Sequence, residues 1–180
     1  MKIEETPLKG CYLITPDIYQ DERGLFFEHY HQKKLNTILP KDQFVQDNVS
    51  VSKKGVLRGI HFQKGDFAQT KLVSVLKGMV QDVVVDLRID SNTFGQYHSV
   101  FLDDVKRHLL FIPRGFAHGF LALSNEVIFS YKCDNFYNKE SEIGIVYNDA
   151  DLNIKWQLPN DNLIVSRKDL GLPCLKELKI

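Results

Sequence analysis

Between Lys71 and Cys133 the chain is a succession of short segments rich in β-branched and aromatic residues: Lys71–Leu76, Met79–Leu87, Tyr97–Leu102, Leu109–Ile112, Phe116–Leu123 and Val127–Cys133. Turn-forming residues separate them at Lys77-Gly78, Asp90-Ser91-Asn92, Asp103-Asp104 and Ser124-Asn125-Glu126. Many short strands at this spacing predict a sandwich or a small closed barrel. Strand signals dominate from Val49 onward, helical patterning is confined to Gln32–Leu39, and a second helix is expected near the C-terminus.

A barrel of this kind offers its mouth or interior to a ligand, so function is to be sought in polar residues that the strands turn inward. Composition narrows the ligand classes. Lys plus Arg equals Asp plus Glu at 23 each, so no net field attracts nucleic acid or an anionic membrane, and an anionic ligand must be held by a few local cations. The first ten residues lack an apolar h-region, so a signal peptide is not expected. The apolar runs fall far short of the roughly 18 residues that a membrane helix needs. Three widely spaced cysteines, Cys11, Cys133 and Cys174, fit neither a disulfide framework nor a zinc knuckle and point to a reducing cytoplasm. At 180 residues with no repeat or linker, residues 1–180 are expected to form one domain.

Three constellations stand out. In Arg58-Gly59-Ile60-His61-Phe62-Gln63, His61 interrupts a stretch that otherwise reads as buried strand. A histidine there is either a hydrogen-bonded core residue or a general base, imidazole titrating nearest the working pH. Arg58 and His61 fall on opposite faces of a regular strand, and a bulge at Gly59 would turn both toward one cavity. Pro113-Arg114-Gly115-Phe116-Ala117-His118 has the form Pro-x-Gly-x-x-His, the second signature of the cupin superfamily, in which a tight turn delivers a histidine into a barrel. Metal-binding cupins carry His-x-His and a following Glu in the first signature. Here that stretch reads His61-Phe62-Gln63, and two histidines alone make a poor metal site. Finally, alternation puts Lys71 on the same face as Val73 and Val75, and an inward ammonium can stabilise an enolate oxygen. Tyr131 and Tyr137 are core tyrosines or proton donors.

Taken together these segments resemble the dTDP-4-dehydrorhamnose 3,5-epimerase family. The similarity runs in order from Asp21-x-Arg-Gly through Gln46-Asp-Asn-x-Ser50, Gly55 to His61, Lys71-Leu-Val, Asp82 to Arg88 and Thr93-Phe-Gly95. It continues through Pro113 to Phe120, Asn148-Asp149, Trp156 and Ser166-x-Lys-Asp169. The resemblance implies an all-β, cupin-type jelly-roll (a double-stranded β-helix with a few short helices) that acts as a homodimer without cofactor or metal. It implies His61 as the proton-abstracting base, Asp169 as the carboxylate that orients it, Lys71 as the cation beside the C4 oxygen and Tyr131 as the proton donor on the opposite sugar face. It matches Arg23, Glu28, Gln46, Asn48, Arg58, His118, Glu142 and Lys168 to substrate-contacting positions. Tyr137 is expected to contact substrate or to replace Tyr131 as donor. The chain departs from the family at Phe62 and Phe136, where tyrosine is common, and at Lys64-Gly-Asp66, which replaces a proline-containing loop. Rival outcomes are a 3- or 5-epimerase or a 3,4-ketoisomerase on a related nucleotide sugar, a metal-dependent cupin oxygenase and a non-catalytic sugar-binding barrel.

Overall fold

The structure, a computed structural model, describes residues 1–39 and 43–178. Its strands in chain order are β1 (Lys2–Glu5), β2 (Tyr12–Thr15), β3 (Ile18–Asp21), β4 (Gly24–Phe27), β5 (Gln46–Lys53), β6 (Val56–Gln63) and β7 (Lys71–Lys77). They continue with β8 (Met79–Asp86), β9 (Tyr97–Asp103), β10 (Leu109–Ile112), β11 (Phe116–Ala122), β12 (Glu126–Cys133), β13 (Glu142–Gly144) and β14 (Ile164–Val165). The α-helices are α1 (Gln32–Leu35) and α2 (Arg167–Leu170).

The strands form two facing sheets ordered β1-β2-β10-β7-β12-β5 and β13-β6-β11-β8-β9, with β14 alongside β6 and the β3-β4 hairpin pairing only with itself. All pairings are antiparallel except β14 with β6. This is the two-sheet β architecture expected from the strand spacing, and the all-β jelly roll that the family resemblance implies. The predicted strand limits hold to within a residue or two. The N-terminal strands β1 to β4 were not anticipated, because their short segments alternate weakly.

Alternation along the strands decides what each sheet buries. Val73 and Val75 of β7 and Phe129 of β12 meet Val80 and Val84 of β8 and Phe116 and Phe120 of β11 between the sheets. The opposite faces are covered as well. Residues of the C-terminal segment, including Ile145, Leu152 and Ile154, pack on Ile60, Phe62, Val83 and Val85. Leu35 and Ile38 pack over Leu72, Leu109 and Phe111. Strand β8 is therefore covered on both sides, which explains its near-continuous apolar run.

The helix expected over Gln32–Leu39 is one turn of α-helix, Gln32–Leu35. Beyond it Ile38 and Leu39 still donate to the Leu35 carbonyl, but the segment bends to lay its apolar residues on the sheet. A single turn with no side-chain N-cap depends on that packing. Near the C-terminus, α2 is a four-residue turn capped by Ser166, whose hydroxyl accepts from the Asp169 N–H. Among the described residues no helix is long and apolar enough to cross a membrane.

The end of β8 is fastened by one buried carboxylate. Asp86, with no solvent exposure, accepts from Arg88 Nε at 2.8 Å and Nη2 at 2.7 Å and from the hydroxyls of Ser91 and Thr93 at 2.6 Å each. The Arg88 guanidinium lies 4.4 Å from the centroid of the Phe116 ring and donates to the Lys9 carbonyl. Burial alone would push the Asp86 pKa up, but these donors outweigh it and hold the carboxyl well below the usual range. A depressed carboxylate contributes stability above its unfolded pKa and loses that contribution as pH falls. Asp86→Ala should therefore cost about 3–5 kcal/mol by urea unfolding at neutral pH, the scale of a broken buried pair. The gap from the parent should narrow below about pH 4. A loss under about 1 kcal/mol contradicts this account of the β8 terminus.

Candidate active site

Strands from both facing sheets, β6 and β11 on one side and β5, β7 and β12 on the other, wall a pocket of about 520 Å³. On β6 a register shift against β11, between His118 and Phe120, places Arg58 opposite Phe120 and His61 opposite His118. Arg58 and His61 consequently both line the pocket, as the bulge expected at Gly59 requires, while Ile60 and Phe62 turn to the covered outer face. Glycine is needed here for two reasons. Gly59 has φ of +121°, and a Cβ on it would lie 2.5 Å from Gly119 Cα and 2.8 Å from the His118 carbonyl oxygen. Gly119 is equally constrained, since its own Cβ would meet the Arg58 carbonyl oxygen at 2.7 Å.

His61 Nε2 lies 2.7 Å from Asp169 Oδ1, although 108 residues separate them in the chain. The turn of α2 brings the carboxylate in, and Asp169 is only 4% exposed. Burial would raise its pKa; the hydrogen bond to His61, with further bonds from Ser166 and the Gly59 backbone, holds it below the usual carboxylate range. With Nε2 taken by Asp169, Nδ1 is the imidazole nitrogen that His61 has left to act in the pocket it lines.

A second pair lies deeper. His118 Nε2 is 2.9 and 3.0 Å from the two oxygens of Asp82, and both residues are buried. The His118 ring stacks on Phe129, with centroids 6.0 Å apart, and Phe129 stacks on Phe120 at 4.2 Å. Asp82 received no role at the level of sequence. The signal was a charged residue inside the apolar run of β8, on the same face as Val80 and Val84.

The facing sheet supplies Lys71 on β7 and Tyr131 on β12, both lining the pocket. Alternation does point Lys71 inward with Val73 and Val75, as expected. Burial pushes its ammonium below the ordinary lysine value, opposed by the nearby Cys133, Glu142 and Asp82. Burial likewise pushes the Tyr131 phenol up and the Cys133 thiol up to about 11, which makes that cysteine inert. Gln46 and Asn48 reach the cavity from β5, and Gln46 Nε2 donates to Asn48 Oδ1 at 3.1 Å.

At the mouth, Tyr137 is half exposed, and its hydroxyl donates to Glu142 Oε2 at 3.0 Å. Lys168 pairs with the same carboxylate oxygen. Burial raises and these two partners, with His61, lower the Glu142 pKa, for a net depression. The pocket thus collects eleven of the thirteen residues singled out in the sequence: His61, Asp169, Lys71 and Tyr131; Gln46, Asn48, Arg58 and His118; and Tyr137, Glu142 and Lys168.

Arg23 and Glu28, which the family resemblance matches to substrate-contacting positions, are not among the lining residues that this chain gives its own pocket. Arg23 is bound to Asp21 on the exposed β3-β4 hairpin, and Glu28 pairs with Lys34 and sits 3.8 Å from His31. Among the described residues the hairpin pairs with no other strand. Among the described residues no group of three or more His, Cys, Asp or Glu side chains is arranged to hold a metal ion. Gln63, at the position where metal-binding cupins place a ligand, is turned to other partners.

Residues 5–177 match the family model described as dTDP-4-dehydrorhamnose 3,5-epimerase. A protein of that name from Methanothermobacter thermautotrophicus is 47% identical, over 96% of this chain and 94% of that one. The crystal structure of dTDP-4-dehydrorhamnose 3,5-epimerase from Elizabethkingia anophelis NUHP1 superposes with a TM-score of 0.94 at 52% identity, covering 98% of this chain and 97% of that one. A dTDP-6-deoxy-D-glucose-3,5-epimerase from Legionella pneumophila, solved in complex with dTDP-4-keto-L-rhamnose, also reaches 0.94, at 44% identity over 99% of this chain and 94% of that one.

The contact between Gly59 and Gly119 yields a direct test. Gly59→Ala should destabilise the protein by about 1–3 kcal/mol for the disallowed φ and a further 1–3 kcal/mol, approximately, for the clash. Whatever protein folds should lose turnover as His61 shifts away from Asp169. Wild-type stability and activity in this variant contradict the assigned role of the bulge.

Proposed function

The chain belongs to the dTDP-4-dehydrorhamnose 3,5-epimerase family, and on that premise we propose how its pocket converts dTDP-4-dehydro-6-deoxyglucose to dTDP-4-dehydrorhamnose. The protein is an isomerase, and the reaction inverts C3 and C5 on either side of the C4 ketone. The one observation that carries the reading is the pairing of His61 with a buried carboxylate on one wall, facing a lysine and a partly buried tyrosine on the other.

A hydrogen on a carbon beside a ketone is acidic only because its anion becomes an enolate. Inversion therefore needs a base on one face, a group that holds the oxyanion, and an acid on the other face. His61 removes the proton from C3 and from C5. Asp169 fixes the imidazole tautomer and stabilises the imidazolium that forms, as the aspartate of a hydrolase triad does. Lys71 stabilises the negative charge that develops on the C4 oxygen. Its depressed pKa reflects a poorly solvated site, and a charge held there acts more strongly than in water. Tyr131 delivers the proton from the opposite face, regenerating the ketone and leaving the configuration inverted. Its burial against Phe129 supports this assignment over Tyr137, whose hydroxyl is engaged by Glu142 at the mouth. Electrons stay within the substrate, so the scheme calls on no redox cofactor and no metal.

Arg58 and Lys168 supply the cations that a diphosphate requires; the guanidinium fork suits phosphate oxygens. Gln46, Asn48, His118, Tyr137 and Glu142 complete the binding surface. Residues 1–180 work as one cytoplasmic domain with no nucleic-acid or membrane partner.

The working form is a homodimer. An isolated two-stranded hairpin is marginal in water, yet β3 and β4 carry exposed Tyr19, Leu25 and Phe26. Strand β5 is an unpaired edge with Val49 and Val51 exposed, which natural sheets avoid leaving open. A closed two-fold pair covers such surfaces and gives Arg23 and Glu28 access to the partner's pocket.

His61→Ala should keep the fold and nucleotide binding while turnover falls by about a hundredfold to ten-thousandfold or more. Turnover within a few-fold of the parent excludes His61 as the base. Tyr131→Phe keeps the ring packing and should lose double inversion far more than proton exchange at the original face; unimpaired inversion rejects the donor assignment. Light scattering at micromolar concentration should report twice 20.8 kDa, and a monomer refutes the dimer.

A further inference from the structure

Gln63 occupies the strand position at which metal-binding cupins carry a ligand, lines the pocket and is 5% exposed. Its carboxamide is turned toward the rim. Nε2 donates to the carbonyl oxygens of Phe67 at 2.7 Å and Phe136 at 3.1 Å, and Oε1 accepts from the Asn138 N–H at 2.6 Å. Both donors and one acceptor position are therefore used, and the partners fix which end of the amide is which. The bonds join β6 to two separate rim loops, the one around Phe67 and the one spanning residues 134 to 141.

The flanks of the second loop are held separately. Gln69 Nε2 donates to the Asn135 carbonyl at 2.8 Å, Asn135 Nδ2 to the Asp66 carbonyl at 2.8 Å and the Lys64 N–H to the Ser141 carbonyl at 3.1 Å. What remains for Gln63 is its tip. Phe136 is 63% and Tyr137 52% exposed, so packing does not set where these rings stand. Backbone anchors do: Gln63 bonds the residues on either side of Tyr137, and Gln46 Oε1 accepts from the Tyr137 N–H at 2.9 Å. From that position the Tyr137 hydroxyl reaches Glu142, which lies directly across the ladder from Gln63. A glutamate at position 63 would turn an acceptor toward two carbonyl oxygens, and an apolar residue would leave three backbone groups unpaired.

We propose that Gln63 is a positioning residue for substrate capture: its carboxamide latches the rim loop so that Tyr137 and Glu142 stand ready at the pocket mouth. The inference rests on the binding role given above to Tyr137. It assigns Gln63 no part in proton transfer, so its signature is a rise in KM that kcat does not share.

The test is steady-state kinetics with dTDP-4-keto-6-deoxyglucose on Gln63→Glu, Gln63→Met, Tyr137→Ala and the Gln63→Glu/Tyr137→Ala pair. At neutral pH, Gln63→Glu should raise KM about tenfold, the scale of one or two lost buried hydrogen bonds, with kcat within about threefold of the parent. The KM ratio to the parent should shrink on acidification, because a protonated carboxyl regains one donor for a carbonyl. Gln63→Met should show the neutral-pH effect without the pH recovery. In the Tyr137→Ala background, Gln63→Glu should add less than about twofold, since coupled residues are not additive. If Tyr137→Ala raises KM but Gln63→Glu leaves it within about twofold, the latch is overturned and the role of Tyr137 stands. If Tyr137→Ala leaves KM unchanged, that role fails and the latch fails with it. Fully additive effects, a kcat loss matching the KM rise, or a Gln63→Met protein that does not fold each overturn the positioning role in favour of a structural one.

Discussion

The site depends on a backbone contact. Where β6 crosses β11, Gly59 and Gly119 approach more closely than any side chain allows, and the ladder slips register at that point. A regular strand would send Arg58 and His61 to opposite faces, one into the pocket and the other into the apolar layer beneath the C-terminal segment. The slip lets one strand contribute Arg58, His61 and Gln63 to a single cavity. It also brings the Gly59 N–H within reach of Asp169, so the same irregularity orients the base and helps hold its carboxylate partner.

Burying charge between two sheets is costly unless each charge has a partner. Asp169 has His61, Asp82 has His118, and Asp86 has Arg88 with two hydroxyls. Among the described residues Lys71 is the exception in the pocket: it makes no salt bridge, and burial lowers its pKa against the pull of Cys133, Glu142 and Asp82. An ammonium without a close counter-ion is a preorganised site for an oxyanion that appears only during reaction. The aromatic stack of Phe120, Phe129 and His118 fills the interior, and the exposed rings of Phe136 and Tyr137 stand at the rim.

Much of this was legible in the sequence, for identifiable reasons. Strands β7 to β12 announce themselves through β-branched and aromatic residues bounded by turn residues, and the inward direction of Lys71 follows from alternation with Val73 and Val75. The Pro113–His118 turn was readable because its spacing has a mechanical purpose. Asp169 could not be found by spacing, since its partner lies 108 residues away and only the fold unites them. It entered through the family resemblance alone. Asp82 was visible as a charge in an apolar run yet was passed over. The N-terminal hairpin escaped because four-residue strands with exposed faces leave no periodic signal, and Arg23 and Glu28, which it carries or adjoins, entered through the family resemblance alone.

The central claim is that one base and one acid on opposite walls invert two carbons through enolates. Proton NMR of the sugar product formed from dTDP-4-keto-6-deoxyglucose in deuterated water addresses it most directly. Each inversion exchanges a carbon-bound hydrogen with a protein group in equilibrium with solvent, so deuterium is expected at both C3 and C5, each with inverted configuration. Deuterium at one carbon alone, or inversion without deuterium at either, contradicts the account.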